Sequence, residues 1–249
     1  MTSQRNVYYT NEKRSDKSLD LYLPESERFP LLVYIHGGGI VGGDKGRDGR
    51  CLANYYLPRG IAVASLNYRM YPIAKYPDFI NDCAEAIKWL TDTLGDRISH
   101  LFIAGTSAGG YITMMLCFNE EYLGAVGLSN RCVTGYIHDA GQPTVHFNVL
   151  KERGEDPKKV IVDSAAPLYH VGDRKDYPPM LFIWSDDDIP CRAEQLELTV
   201  ATLKSFDCDA AGIDTLVRHG KHVHYAIPKG DADEFELSSL IHPFIEKHL

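Results

Sequence analysis

The stretch that most constrains this 249-residue chain is Leu101-Phe102-Ile103-Ala104-Gly105-Thr106-Ser107-Ala108-Gly109-Gly110. A short apolar run ends in Gly-x-Ser-x-Gly, and an apolar, helix-like segment, Tyr111 to Phe118, follows at once. Strand, sharp turn and helix in that order hold the serine in a strained backbone conformation, its hydroxyl exposed at the end of a sheet. Gly105 and Gly109 suit such a turn, because side chains two residues either side of Ser107 would collide with the strand and helix packing there. Ser107 would also open the helix, so backbone N–H groups and the positive helix end face any charge that develops beside it. The pentapeptide alone also arises by chance, and a serine in a glycine-rich turn is ordinarily just a turn residue. Its company elsewhere in the chain decides.

That company is an alternation of short apolar runs and helical patterns. Val7 to Tyr9 and Leu19 to Leu23 read as strands, and Leu31 to Ile35 is a continuous apolar run suited to a sheet buried on both faces. A loop rich in glycine and charge runs to Arg50, Cys51 to Leu57 reads as helix, and Ile61 to Leu66 as another buried strand. Asp78 to Leu94 is the clearest helix, with Phe79, Ile80, Cys83, Ile87, Leu90 and Leu94 on one face and Gly95 as its stop. After the serine turn, Ala125 to Leu128 reads as a weak strand, and Arg131 to Asp176 as a small lid-like insertion with one amphipathic helix near Pro143 to Arg153. Met180 to Trp184 is a strand, Arg192 to Phe206 a helix, Asp214 to Arg218 the last strand, and Asp233 to His248 a tail helix. The order implies one α/β domain over residues 1–249, with a mostly parallel central sheet and helices on both faces.

A formal net charge of −8 with no basic stripe argues against a nucleic-acid or anionic-membrane partner. The N-terminus, Met1 to Tyr9, lacks an apolar signal region and no run approaches transmembrane length, so the cytoplasm is the expected compartment. Six scattered cysteines with no Cys-x-x-Cys pair predict buried free thiols, not disulfides or a metal site.

Acyl transfer by a serine needs a base, a group that orients the base, and donors for the oxyanion, all in loops that follow strands. His36-Gly37-Gly38-Gly39 follows the Leu31–Ile35 strand. Backbone N–H groups of Gly37 and Gly38 there, with that of Ala108, suit an oxyanion hole. Ser185-Asp186-Asp187-Asp188 follows the Met180–Trp184 strand. Counting from the strand end favours Asp188 as the orienting acid, while the pattern Asp-x-x-Ile-Pro favours Asp186; Asp188 is preferred and Asp186 is the alternative. Gly220-Lys221-His222-Val223-His224 follows the last strand and supplies His222 as base. His222 and His224 alternate as metal ligands could, but no third ligand accompanies them at a plausible spacing. The order Ser…Asp…His is that of the α/β-hydrolase fold.

At this point the sequence resembles a known family. His36-Gly-Gly-Gly, Asn67-Tyr-Arg-Met-Tyr-Pro, Asp82 to Leu90 and Gly105-Thr-Ser-Ala-Gly-Gly-Tyr look like the small carboxylesterases related to hormone-sensitive lipase. His138-Asp-Ala-Gly-Gln-Pro-Thr-Val-His-Phe-Asn-Val-Leu, with Asp188-Ile-Pro-Cys-Arg-Ala-Glu-Gln, is similar to a bacterial subgroup of them. The resemblance covers nearly the whole chain. Two features depart from it: Ser185 stands where the wider family usually has glycine, and the N-terminal cap helices of many relatives are missing. In the resembled family the Tyr68-Arg69 pair is architectural, supporting the oxyanion loop.

The resemblance implies a serine carboxylesterase acting on short-acyl esters of small molecules through an acyl-enzyme, with no metal or organic cofactor. Deacetylation of acetylated carbohydrates or another natural ester is the same chemistry with a different leaving group. An arylformamidase-type amidase fits less well, since Gly39-Ile40 replaces the bulky aromatic that follows two glycines in those enzymes. The fold also hosts binding proteins that have lost the triad, whereas every triad residue type is present here. A homo-oligomer is left open.

Overall fold

The computed structural model describes residues 2–208, 212–229 and 235–249. Its strands are β1 (Thr2–Tyr8), β2 (Ser18–Leu23), β3 (Phe29–Ile35), β4 (Ala62–Leu66), β5 (Ile98–Thr106), β6 (Gly135–Asp139), β7 (Met180–Asp187) and β8 (Ile213–Lys221). The helices are α1 (Lys45–Tyr56), α2 (Asp78–Leu94), α3 (Ala108–Phe118), α4 (Glu120–Ala125), α5 (Phe147–Glu152), α6 (Arg192–Ser205) and α7 (Glu236–Lys247). The expected start of the tail helix at Asp233 lies outside the described residues. Among the described residues the strands form one sheet, in the order β1-β2-β4-β3-β5-β6-β7-β8. β1 and β2 run antiparallel to their neighbours, and β3 through β8 are parallel.

The unbroken apolar runs are explained by burial on both faces. In β3, Leu31, Val33 and Ile35 belong to the core on the face covered by α2, α3 and α6. Leu32 and Tyr34 point the other way, to a second core built with α1 and α7. β5 sits mid-sheet between β3 and β6, so the serine turn at its end emerges at the centre of the sheet edge. The helix that follows, α3, is buried along its whole length, which accounts for its uniformly apolar sequence.

Three expectations are corrected. Ala125 to Leu128 is not a strand: it ends α4, with Val126 N–H closing on the Leu123 and Gly124 carbonyls and Gly127 left-handed at φ 76°. The strand paired with β5 is instead Gly135–Asp139, within the 131–176 stretch, so that stretch is not an insertion throughout. Its non-strand part begins after Asp139 and carries α5, shorter than the expected helix. α1 starts at Lys45, six residues before the expected Cys51, because the Asp44 carboxylate caps it by accepting from Gly46 N–H. Four cysteines are buried, Cys132 and Cys191 are exposed, and none of the six is in a disulfide. Among the described residues no helix is long and apolar enough to cross a membrane.

Candidate active site

The turn between β5 and α3 places Ser107 at φ 55°, ψ −111°, a conformation that L-residues rarely adopt. Close packing imposes it. A Cβ on Gly105 would lie 2.5 Å from the Gly109 carbonyl, and one on Gly109 would run into the Ile35 carbonyl oxygen. The Ser107 N–H donates to the Asp139 carbonyl at 2.7 Å, tying the turn to the end of β6.

His222 follows β8 and reaches back over the turn. Its Nε2 stands 2.9 Å from Ser107 Oγ, and its Nδ1 stands 2.5 Å from Asp188 Oδ1. The Asp188 side chain is 1% exposed and the His222 side chain 20%, so the bond between them is shielded while the imidazole lines the cleft. Burial pushes the Asp188 carboxyl up, but the His222 hydrogen bond and the attraction of a protonated imidazole, with the Ile189 and Ser185 N–H groups, outweigh it and hold the group below its ordinary range. Ser107, His222 and Asp188 therefore stand in one hydrogen-bonded line.

The alternatives are placed elsewhere. β7 continues past the apolar run to Asp187, so Asp186 and Asp187 lie on exposed strand. Asp186 pairs with the exposed His219 at 2.5 Å and accepts from Gly220 N–H, and Asp187 pairs with Lys221. His224 turns its Nδ1 to the Lys221 carbonyl, 2.8 Å away. Among the described residues no group of three or more His, Cys, Asp or Glu side chains could hold a metal.

The glycine loop packs directly on the serine turn. A Cβ on Gly37 would lie 2.9 Å from the Thr106 carbonyl oxygen and 3.3 Å from Ser107 Cβ, so a side chain there would push the loop off the serine turn. The loop is held from behind by Tyr68, whose hydroxyl donates to the His36 carbonyl at 2.9 Å and whose ring stacks on His36 at 4.6 Å. Arg69 forks onto buried Asp82 with two bonds of 2.8 Å. These contacts are architectural.

A cleft of about 650 Å³ opens over Ser107 and His222. Phe147, Ile189, Val223 and Ala226 form its apolar side; Asp44, Arg47 and Asp48, near the start of α1, form a polar side that sequence reading passed over as loop. Burial pushes the Asp48 carboxyl up to about 6. Of the bulky residues in the 131–176 stretch, Phe147 alone lines the cleft; Tyr136, His138 and His146 are buried in the core and Tyr169 is mostly exposed.

The family model BD-FAE matches residues 19–150, more than half of the chain. The chain belongs to the BD-FAE family. The match spans β2 through α5, and so includes the glycine loop and the serine turn but not the Asp188 and His222 loops. Among curated relatives, Esterase LipI of Mycobacterium tuberculosis is 31% identical over 105 residues, 41% of this chain and 32% of that protein. Tuliposide B-converting enzyme 1 of Tulipa gesneriana is 34% identical over 119 residues, 41% of this chain and 27% of that protein. The chain thus spans about a third or less of these relatives' lengths.

Solved structures match over the whole BD-FAE chain. A truncated form of a carbohydrate esterase from gut microbiota superposes with a TM-score of 0.76 at 22% identity, covering 100% of this chain and 96% of that one. Thermogutta terrifontis esterase 2 with butyrate bound gives 0.74 at 21% identity, covering 98% and 94%. The fold is the α/β-hydrolase fold.

Proposed function

We propose that this BD-FAE protein is a serine carboxylesterase that hydrolyses short-acyl esters of small molecules. The observation that carries the reading is the line Ser107 Oγ···His222 Nε2 at 2.9 Å and His222 Nδ1···Asp188 Oδ1 at 2.5 Å. In this reading Ser107 Oγ bonds to the acyl carbon as its proton passes to His222 Nε2. The N–H groups of Gly37, Gly38 and Ala108 stabilise the oxyanion, and the leaving alkoxide takes the proton from His222. Water then gives a proton to His222 as its oxygen attacks the acyl carbon, and Ser107 Oγ regains its proton as the acid departs. Asp188 holds the tautomer in which Nδ1 carries hydrogen and Nε2 accepts. The left-handed backbone of Ser107 and the contact of Gly37 with it support these roles. The butyrate-bound neighbour supports a short acyl group, as does Phe147, whose ring end lies 3.2 Å from where a Gly39 Cβ would be.

A second reading, deacetylation of acetylated carbohydrates, uses the same chemistry. It is favoured by the polar side of the cleft, where Asp44, Arg47 and Asp48 could take hydroxyl groups of a leaving alcohol. Both readings are tested by turnover of p-nitrophenyl acetate and of acetylated sugars with wild type and Ser107→Ala. The substitution should cost on the order of 10⁴-fold or more in kcat with the fold intact. Near wild-type turnover in the variant contradicts the serine mechanism. Preference for acetylated sugars selects the second reading.

A further inference from the structure

From the cleft lining at Tyr34 and Thr106 runs a chain of buried side-chain hydrogen bonds that the reaction as written does not use. Tyr34 Oη lies 3.1 Å from Thr106 Oγ1, Thr106 Oγ1 donates to Asp139 Oδ2 at 2.8 Å, and Tyr225 Oη donates to Asp139 Oδ1 at 2.6 Å. Asp139 is the common acceptor, at the end of β6 and 1% exposed. Its two donors are not arbitrary positions. Thr106 immediately precedes Ser107, and Tyr225 stands three residues after His222. A third bond joins the same residue to the serine itself, the Asp139 carbonyl accepting Ser107 N–H at 2.7 Å.

We infer that Asp139 is a positioning residue that ties the serine turn and the histidine loop to one buried carboxylate, fixing the Ser107–His222 approach and placing a second negative charge beside the imidazole. The inference rests on the serine-hydrolase reading above. A hydrophobic residue at the end of β6 would satisfy packing there, but it would leave the Thr106 and Tyr225 hydroxyls without their acceptor. Burying a carboxylate is costly unless its charge is used or fully paired, and two neutral hydroxyls pair it only in part. Burial indeed pushes the Asp139 carboxyl up to about 6, opposed by the Tyr225 and Thr106 hydrogen bonds and by the charge of His222. The two hydroxyl donors and the charge of His222 thus favour its ionised form against burial.

The charged groups facing this pair come from every neighbouring element. Asp188, after β7, pairs with His222 and pushes Asp139 up. Arg192, in α6, is buried and donates to the Ala140 carbonyl at 2.5 Å, next to Asp139. Tyr34 connects the far end of the chain to Asp48 across 3.5 Å. Of these, Asp139 alone touches both the serine side and the histidine side.

The test is steady-state hydrolysis of p-nitrophenyl acetate by Asp139→Asn between about pH 5 and 9, beside wild type and Ser107→Ala, with Tm recorded for each. A misplaced base predicts a fall in kcat of about 10- to 100-fold with KM within about twofold of wild type. Loss of a negative charge beside the imidazolium keeps the imidazole neutral to lower pH, so the acid limb of kcat/KM should move down. A kcat within about twofold of wild type overturns the inference, and so does a lowered kcat with an unmoved limb, which a merely structural role would give. If Asp139→Asn does not fold, Tyr225→Phe keeps the ring and removes one donor that holds the Asp139 carboxyl down, so the carboxyl is neutral over more of the acid range. It should lower kcat severalfold and displace the limb the same way; an unchanged kcat or limb overturns the inference equally. Wild type lacking Ser107-dependent turnover would refute the serine reading and this inference with it. Ser107-dependent turnover that Asp139→Asn leaves unchanged refutes the inference alone.

Discussion

Asp188→Asn tests the proposed orienting acid with almost no change in shape. In the native site, Asp188 Oδ1 takes both the His222 Nδ1 proton and the Ile189 N–H, at 2.5 and 2.7 Å, from a side chain shut off from solvent. An asparagine there can meet Nδ1 with its amide N–H in place of a carboxylate oxygen, giving up the Ile189 bond. The imidazole then takes the tautomer with hydrogen on Nε2, which cannot accept a proton from Ser107 Oγ 2.9 Å away. The charge that stabilises the imidazolium is also gone. The chymotrypsin-type precedent puts the loss on the order of 10⁴-fold in kcat, or about 5.5 kcal/mol on the barrier. Asp186→Asn is the matched control: that carboxylate pairs with an exposed His219 on the strand edge, so kcat should stay within about threefold of wild type. Initial rates on p-nitrophenyl acetate, with Tm for both variants, decide the matter. Equal and large losses, or a larger loss for Asp186→Asn, would refute the assignment of the acid.

Three further outcomes follow from the same geometry. His222→Ala should abolish turnover and the rise of kcat/KM with pH, whereas His224→Ala should cost little, since its Nδ1 is engaged with the Lys221 carbonyl; traded phenotypes would move the base by two residues. Acetyl to butyryl esters should be the best substrates, and Phe147→Ala should extend the range; an open channel would instead gain about 0.8 kcal/mol per added methylene, so specificity constants climbing through octanoyl in wild type contradict the short-acyl reading. Burial drives His138 down to about 3, so the folded protein holds it neutral while the unfolded chain takes up a proton near its ordinary value. Its stability contribution is therefore complete above about 6.5 and lost as pH falls toward 3, by about 2 kcal/mol between pH 7 and 5. His138→Phe should remove that slope relative to wild type in urea unfolding at the two pH values, a comparison in which the opposite slopes of Asp48 and Asp139 cancel; parallel pH dependences would count against it.

The parts of the fold legible in the sequence are those where burial alone dictates residue type. β3 and the start of β7 are unbroken apolar runs because both of their faces are covered, β4 is interrupted only by buried Ser65, and α2 shows a one-sided stripe with a glycine stop. β6 escaped notice because Gly-Tyr-Ile-His-Asp does not look like a buried strand. Its polar residues are buried only because distant partners satisfy them: Thr113 beside His138, and Thr106 and Tyr225 donating to Asp139. Such partners have no local signature. β1 is an exposed edge strand held by backbone pairing to β2, so it carries little hydrophobic alternation and extends well before the expected Val7. At the site, residue types and loop order pointed to Ser107, His222 and Asp188, which the structure brings together. The choice between Asp186 and Asp188 depended on where β7 ends, and that strand runs three residues past its apolar core. The polar cleft side came from misjudging the start of α1, which a capping aspartate at Asp44 could have signalled.

The central claim is that Ser107 is the nucleophile, and covalent capture tests it without any assumption about substrate. The protein is incubated with excess fluorophosphonate, its intact mass measured, and the modified peptide sequenced by mass spectrometry. The account predicts a single adduct, mapped to Ser107 in the turn between β5 and α3, absent in Ser107→Ala and slowed severely in His222→Ala. No adduct, or one mapped to another residue, would contradict it.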